Sequence, residues 1–138
     1  SAVRLTERKG KWVVVYFYPK NFTSGCKLEA CEFRDAGREF ARLGAEVIGI
    51  SPDPTESHAE FASELRLDFP LLADRDAKVS VKYGAWREKS LSGRRYEGIV
   101  RSTFLIDPAG KIAVIWDNVR VKGHTGKVLS RLREENGD

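Results

Sequence analysis

The chain has 138 residues, 41% hydrophobic and 32% charged, with a net charge of +4; that is the size and balance of one globular domain with a core large enough to hold without disulfide staples. No apolar run reaches the roughly 18 residues that a membrane span needs, and no secretory signal pattern opens the chain, so a cytoplasmic protein with no membrane contact is expected. With two cysteines and two distant histidines, His58 and His124, neither a disulfide framework nor a zinc site finds its usual ligand spacing.

In chain order, Trp12 to Tyr18, "WVVVYFY", is β-branched and aromatic throughout, the pattern of a strand buried on both faces. Pro19 ends it. Thr23 then precedes one long helical pattern with Leu28, Cys31, Ala36, Phe40 and Leu43 at roughly helical intervals, closed by Gly44. Glu46 to Ile50 reads as a strand, Glu56 to Leu65 as a helix, Phe69 to Ala73 as a short strand and Asp76 to Tyr83 as a short helix. The densest basic stretch, "WREKSLSGRRYEGIVR" from Trp86 to Arg101, has thin aromatic interleaving and no nucleic-acid-binding motif. It reads as a solvated, mobile loop, and no nucleic-acid partner is expected. Ser102 to Asp107 and Lys111 to Trp116, joined by Pro-Ala-Gly, predict a β-hairpin, and Thr125 to Arg133 a last helix. The order β-α-β-α-β-α-β-β-α predicts an α/β domain, a mixed sheet with helices on both faces. That is the thioredoxin-like layout with an insertion, and it predicts a single domain over residues 1–138.

The chemistry concentrates in "YPKNFTSGCKLEAC", which holds both cysteines, five positions apart. With Thr23 as N-cap, Cys26 falls in the first helical turn, where unpaired N–H groups and the helix dipole favour an anion. A thiolate there is a nucleophile; a small apolar residue in a first turn is the other reading, and position alone leaves both open. Cys31 adds more. On a continuous helix, residues five apart have Cα atoms ~8.6 Å from each other, beyond the roughly 4.4–6.8 Å of a disulfide. The first turn must therefore unwind before the sulfurs can join, and Ser24 and Gly25 are poor helix formers. The spacing suits thiols that stay apart when reduced and join after oxidation. A peroxide is a fitting oxidant, since thiolate attack gives a sulfenic acid that condenses with a second thiol.

The run Pro19-x-x-x-Thr23-x-x-Cys26 resembles the signature of the peroxiredoxins. The wider stretch "VVVYFYPKNFTSGCKLEACEFRD" resembles their Q-type, or bacterioferritin-comigratory, subfamily, as do "EVIGISPD", "FPLLAD", "KYGAW" and "RSTFLIDPAGKI". The resemblance implies a thiol peroxidase for hydrogen peroxide and organic hydroperoxides, in which Cys26 is the peroxidatic nucleophile and Cys31 the resolving thiol. It further implies that Thr23 orients the peroxide, Pro19 shields the thiolate from water and Arg101 supports the thiolate and the peroxide oxygens. Strand order agrees for Arg101: a strand after the long connection that runs antiparallel to the first would begin where the first one ends. A thioredoxin or similar dithiol would recycle the disulfide, a monomer is expected, and no metal, haem or flavin is needed because the thiol carries the chemistry.

Ser24 stands where the subfamily commonly has proline, and Lys27 where a small hydroxyl residue is frequent. The subfamily also has a β-hairpin ahead of "VRLTERKGKW", and with no methionine in the chain a trimmed or processed start is expected. Two other readings differ in class. A thiol–disulfide oxidoreductase would use Cys-x-x-Cys, whereas four residues intervene here. A binding module with inert cysteines would not need Pro19, Thr23, Cys26, Cys31 and Arg101 together.

Overall fold

The computed structural model describes residues 10–137; the chain start, where a missing hairpin is expected, lies outside them. Trp12–Phe17 forms β1, buried from Val13 onward. A strand of this composition has no polar side to turn to water, and it runs in the middle of the sheet. It pairs in parallel with β2 (Ala45–Ser51) and antiparallel with β6 (Ser102–Ile106). With β3 (Leu71–Ala73) and β7 (Ile112–Trp116) the order is β3-β2-β1-β6-β7.

Alternate residues of β1 serve two cores. Val14 and Tyr16 pack with Leu105 under α1 (Ser24–Asp35), α2 (Gly37–Arg42) and α5 (His124–Glu135), through Phe33, Phe40, Val128 and Leu132. Val13, Val15 and Phe17 join Ile48, Ile50, Phe104 and Ile106 on the other face, covered by Ala85, Ile99 and Tyr83, the last at the end of α4 (Lys78–Lys82). The helix α3 (Thr55–Leu65) stacks Phe61 on Tyr18, with ring centroids 6.3 Å apart. Truncating a ring such as Phe33, which has no exposed surface, would cost about 3–5 kcal/mol. The mixed sheet flanked by helices is the architecture that the element order predicts. Among the described residues, no helix is long and apolar enough to cross a membrane.

Two expectations need correction. The long helix from Thr23 to Gly44 is two helices, broken at Ala36, whose φ of −89° and ψ of 3° lie outside the helical range. Gly37 follows directly, and glycine loses the most backbone freedom in a helix. At this position a Cβ would stand 3.5 Å from the Asp68 carboxylate. The basic stretch is likewise no irregular loop. It is a hairpin of β4 (Trp86–Leu91) and β5 (Arg94–Ile99), in register from Trp86↔Ile99 to Leu91↔Arg94. Its turn is Ser92-Gly93, both at positive φ (52° and 79°), the geometry that matches strand twist in a two-residue hairpin. Of its two strands only Ile99 is buried, so alternation of core and surface residues gave no sign of it.

Candidate active site

In the antiparallel pair of β1 and β6, Phe17 stands opposite Ser102. The loop leaving β1 and the residue entering β6 therefore meet above the start of α1. This register carries Arg101 across 75 positions of sequence to Cys26: its Nη2 donates to Cys26 Sγ at 3.3 Å. Gly25 makes room for it, since a Cβ at that position would lie 3.4 Å from the same nitrogen.

Cys26 sits in the first turn of α1 and is 1% exposed. Thr23 occupies the N-cap position in extended conformation, and its carbonyl accepts from the Lys27 amide at 2.9 Å. Its side chain makes no capping bond. The hydroxyl instead donates to the Lys20 carbonyl at 3.0 Å, which uses its only proton and leaves the oxygen as an acceptor. Pro19, half-buried, belongs to the same loop and contributes no N–H.

That loop is anchored from below. The Asn21 amide N–H donates to Asp53 at 2.8 Å, and the Asn21 side chain donates to Ser57 Oγ at 3.1 Å. Tyr18 donates its hydroxyl proton to Asn21 Oδ1 at 2.7 Å. The second Asn21 side-chain proton points to His58 Nδ1 at 3.0 Å. Burial lowers the His58 pKa below that of an ordinary histidine, so the neutral ring is the acceptor. The anchor matters because Phe22, next to Thr23, is held at φ 67°, a conformation that a bulky residue adopts only under constraint.

Glu29 is a member of this site that sequence reasoning missed. It is 1% exposed, and its Oε1 accepts from Arg101 Nη1 at 2.5 Å. Burial pushes its pKa up to about 7, with the Arg101 guanidinium pulling in the opposite direction. A signal existed: Glu29 lies on the same helical face as Cys26, Ala30 and Phe33, all buried. A carboxylate on an apolar stripe calls for a cation.

Cys31 lies further along α1, half-buried, and both sulfurs are free. Because α1 is continuous through both positions, the helical separation of ~8.6 Å between Cα atoms applies and the thiols stand apart. The five residues singled out by sequence thus divide. Pro19, Thr23, Cys26 and Arg101 gather at one end of the sheet, and Cys31 waits on the helix behind.

Comparison with known proteins gives the family of the chain. The AhpC/TSA family model matches residues 1–115. Peroxiredoxin Bcp of Bacillus subtilis is 45% identical over 134 residues, 97% of this chain and 85% of that protein. Peroxiredoxin Bcp of Escherichia coli is 44% identical, over 96% and 85% of the two chains. Among solved structures, the Xanthomonas campestris bacterioferritin comigratory protein, studied for its alkyl peroxide reduction activity, superposes with a TM-score of 0.93 at 36% identity. That match covers 97% of this chain and 85% of the other.

Proposed function

The chain belongs to the AhpC/TSA family as a peroxiredoxin of the Bcp, or Q, type, and from that premise we propose a two-cysteine peroxidase cycle built on Cys26, Cys31, Thr23, Arg101 and Pro19. The observation that carries it is the Arg101 guanidinium on the Cys26 sulfur at 3.3 Å, a fixed positive charge where an anionic nucleophile must form. The Cys26 thiolate attacks one peroxide oxygen. As the S–O bond forms, the O–O bond breaks and its electron pair leaves on the far oxygen, which takes up a proton and departs as water or an alcohol. Sulfur has been oxidised to a sulfenic acid.

Thr23, its proton spent on Lys20, accepts a hydrogen bond from the peroxide O–H and so fixes which way the substrate faces. Arg101 donates to the oxygens on which charge develops, a form of stabilisation that costs about 2.7–4 kcal/mol when a single donor is removed. Pro19 and the near-complete burial of Cys26 keep bulk water from the thiolate. Resolution follows when the Cys31 thiolate attacks the Cys26 sulfur: the S–S bond forms, the S–O bond breaks, and the departing hydroxide takes up the proton that Cys31 released and leaves as water. Thioredoxin or a similar dithiol then takes the oxidising equivalents. Hydrogen peroxide and alkyl hydroperoxides are the substrates, and a monomer suffices because both thiols lie on one helix.

The test is a thiol count. Reduced protein given one equivalent of hydrogen peroxide should lose both thiols rapidly, with a mass decrease of two hydrogens. Cys26→Ser should abolish the reaction, and Cys31→Ser should stop it at a trappable sulfenic acid. Survival of both thiols over minutes would sink the cycle.

A further inference from the structure

A cleft of about 480 Å³ adjoins the site. Pro19 and Arg101 bound it on the catalytic side, and Arg87, Glu88 and Lys89 of the β4–β5 hairpin, with Asp117, on the other. Hydrogen peroxide, with two heavy atoms, has no use for that space, whereas clefts of about 300–1,000 Å³ take organic ligands.

The charges of the lining pair off with one exception. Asp117 is held by Arg87, Glu88 lies 3.5 Å from Arg95, and Arg101 is held by Glu29. Lys89 has no carboxylate partner among the described residues. Its Nζ donates to the Ile99 carbonyl at 2.7 Å, which leaves two ammonium protons uncommitted. The placement is well supported: the Lys89 stem passes over Gly98, where a Cβ would lie 3.5 Å from Lys89 Cδ, and the ammonium is 5.9 Å from the Tyr96 ring centroid. Arg87 does not share this role: its two terminal nitrogens donate to Asp117, and its Nε is buried. Burial and then the charge of Arg101 lower the Lys89 pKa, against a favourable contribution from Cys26. The ammonium is thus desolvated and repelled by Arg101, and an anion in the cleft would relieve both.

We infer that this cleft receives the body of an organic hydroperoxide that carries a carboxylate or phosphate, and that Lys89 sets the preference for that negative charge. The inference rests on the peroxidase reading, and the reaction at the –OOH end is unchanged: the hydroperoxide leaves as the corresponding alcohol.

The probes are tert-butyl hydroperoxide, which is neutral, and 3-hydroperoxy-3-methylbutanoate, the same skeleton with a carboxylate. Rate constants for Cys26 oxidation by each are measured at low ionic strength in the unmodified protein, Lys89→Met, Lys89→Arg and Lys89→Glu. Relative to the unmodified protein, the anionic-to-neutral rate ratio should fall about three- to tenfold in Lys89→Met. It should fall further in Lys89→Glu and return in Lys89→Arg; a purely structural role would move both substrates together. An unchanged ratio across the four proteins overturns the inference while leaving the peroxidase reading intact. Consumption of neither probe, nor of hydrogen peroxide, by the unmodified protein overturns both. Where Lys89→Met fails to fold, salt decides: the ratio in the unmodified protein should fall as ionic strength rises, and a ratio that ignores salt overturns the inference.

Discussion

Arg101 divides its donors between two very different acceptors, the Cys26 sulfur, which is the nucleophile of the proposed cycle, and the buried Glu29 carboxylate. With Arg101 gone, Glu29 would be left buried without its counter-charge, and breaking a buried pair from one side costs about 3–5 kcal/mol. Arg101→Met should therefore lower stability in urea by roughly 3 kcal/mol at about pH 9, where Glu29 is ionised in the fold, and slow Cys26 oxidation about 100-fold. Adding Glu29→Gln should recover most of the stability and none of the rate. Recovery of both together would mean that Arg101 serves the fold alone. At this scale the sequence was readable where residues are close in the chain: the spacing of Pro19, Thr23, Cys26 and Cys31 carries its own chemistry. Arg101 could be picked out only through family resemblance and strand direction, because its importance comes from the register of β1 against β6, which brings it to a cysteine 75 positions away in the sequence. Glu29 was hidden for a related reason. Its role depends on a partner that the sequence does not set beside it.

Among the elements, α1 would carry the burden of the proposed cycle. Its N-terminus has no side-chain cap, the Thr23 hydroxyl being turned to Lys20, and a cap bond is worth about 1 kcal/mol. Ser24 and Gly25 weaken the first turn further. Joining Cys26 to Cys31 should melt this end of the helix, so amide exchange at residues 26–33 should be much faster in the oxidised protein than in the reduced one. Equal protection in the two forms would show that the sulfurs meet some other way. The hairpin teaches the opposite lesson about legibility. Its residues carry charges on both sides and only Ile99 is buried, so hydrophobic periodicity had nothing to register. The Ser92-Gly93 turn was the one local sign, and the strands hold through their pairing and through the buried Ile99.

For the whole molecule, buried titratable groups act against one another. The pKa of Glu29 rises from 4.5 to about 7 in the fold. The folded state keeps a proton that the unfolded chain has released, so the stability this contributes is full below about 4.5 and lost as pH rises through 7. His124, buried and with its Nε2 2.8 Å from Thr103 Oγ1, falls from 6.5 to about 4, chiefly through burial. Its contribution is full above 6.5 and lost as pH falls through 4. Each separation corresponds to about 3 kcal/mol, and the opposed signs flatten the profile where the two windows overlap. Glu29→Gln removes one side. The variant's unfolding free energy, relative to the unmodified protein, should rise by up to about 3 kcal/mol between pH 4.5 and pH 7. A constant difference would mean that Glu29 ionises as readily in the fold as outside it.

The break at Ala36 bears on what each turnover of the proposed cycle would disturb. Had the helix run unbroken to Gly44, as the hydrophobic pattern suggests, unwinding at Cys26 would have propagated toward Phe40 and Leu43 and so into the packing under β2. Instead α2 begins afresh, with the Phe40 amide donating to the Ala36 carbonyl at 3.0 Å and Phe40 itself fixed in the core. The short joint works as a firebreak. In the proposed cycle, disorder lit by oxidation at one end of α1 would have at most twelve helical residues to consume, and β1 and β6, whose register sets Arg101 beside Cys26, lie outside that stretch.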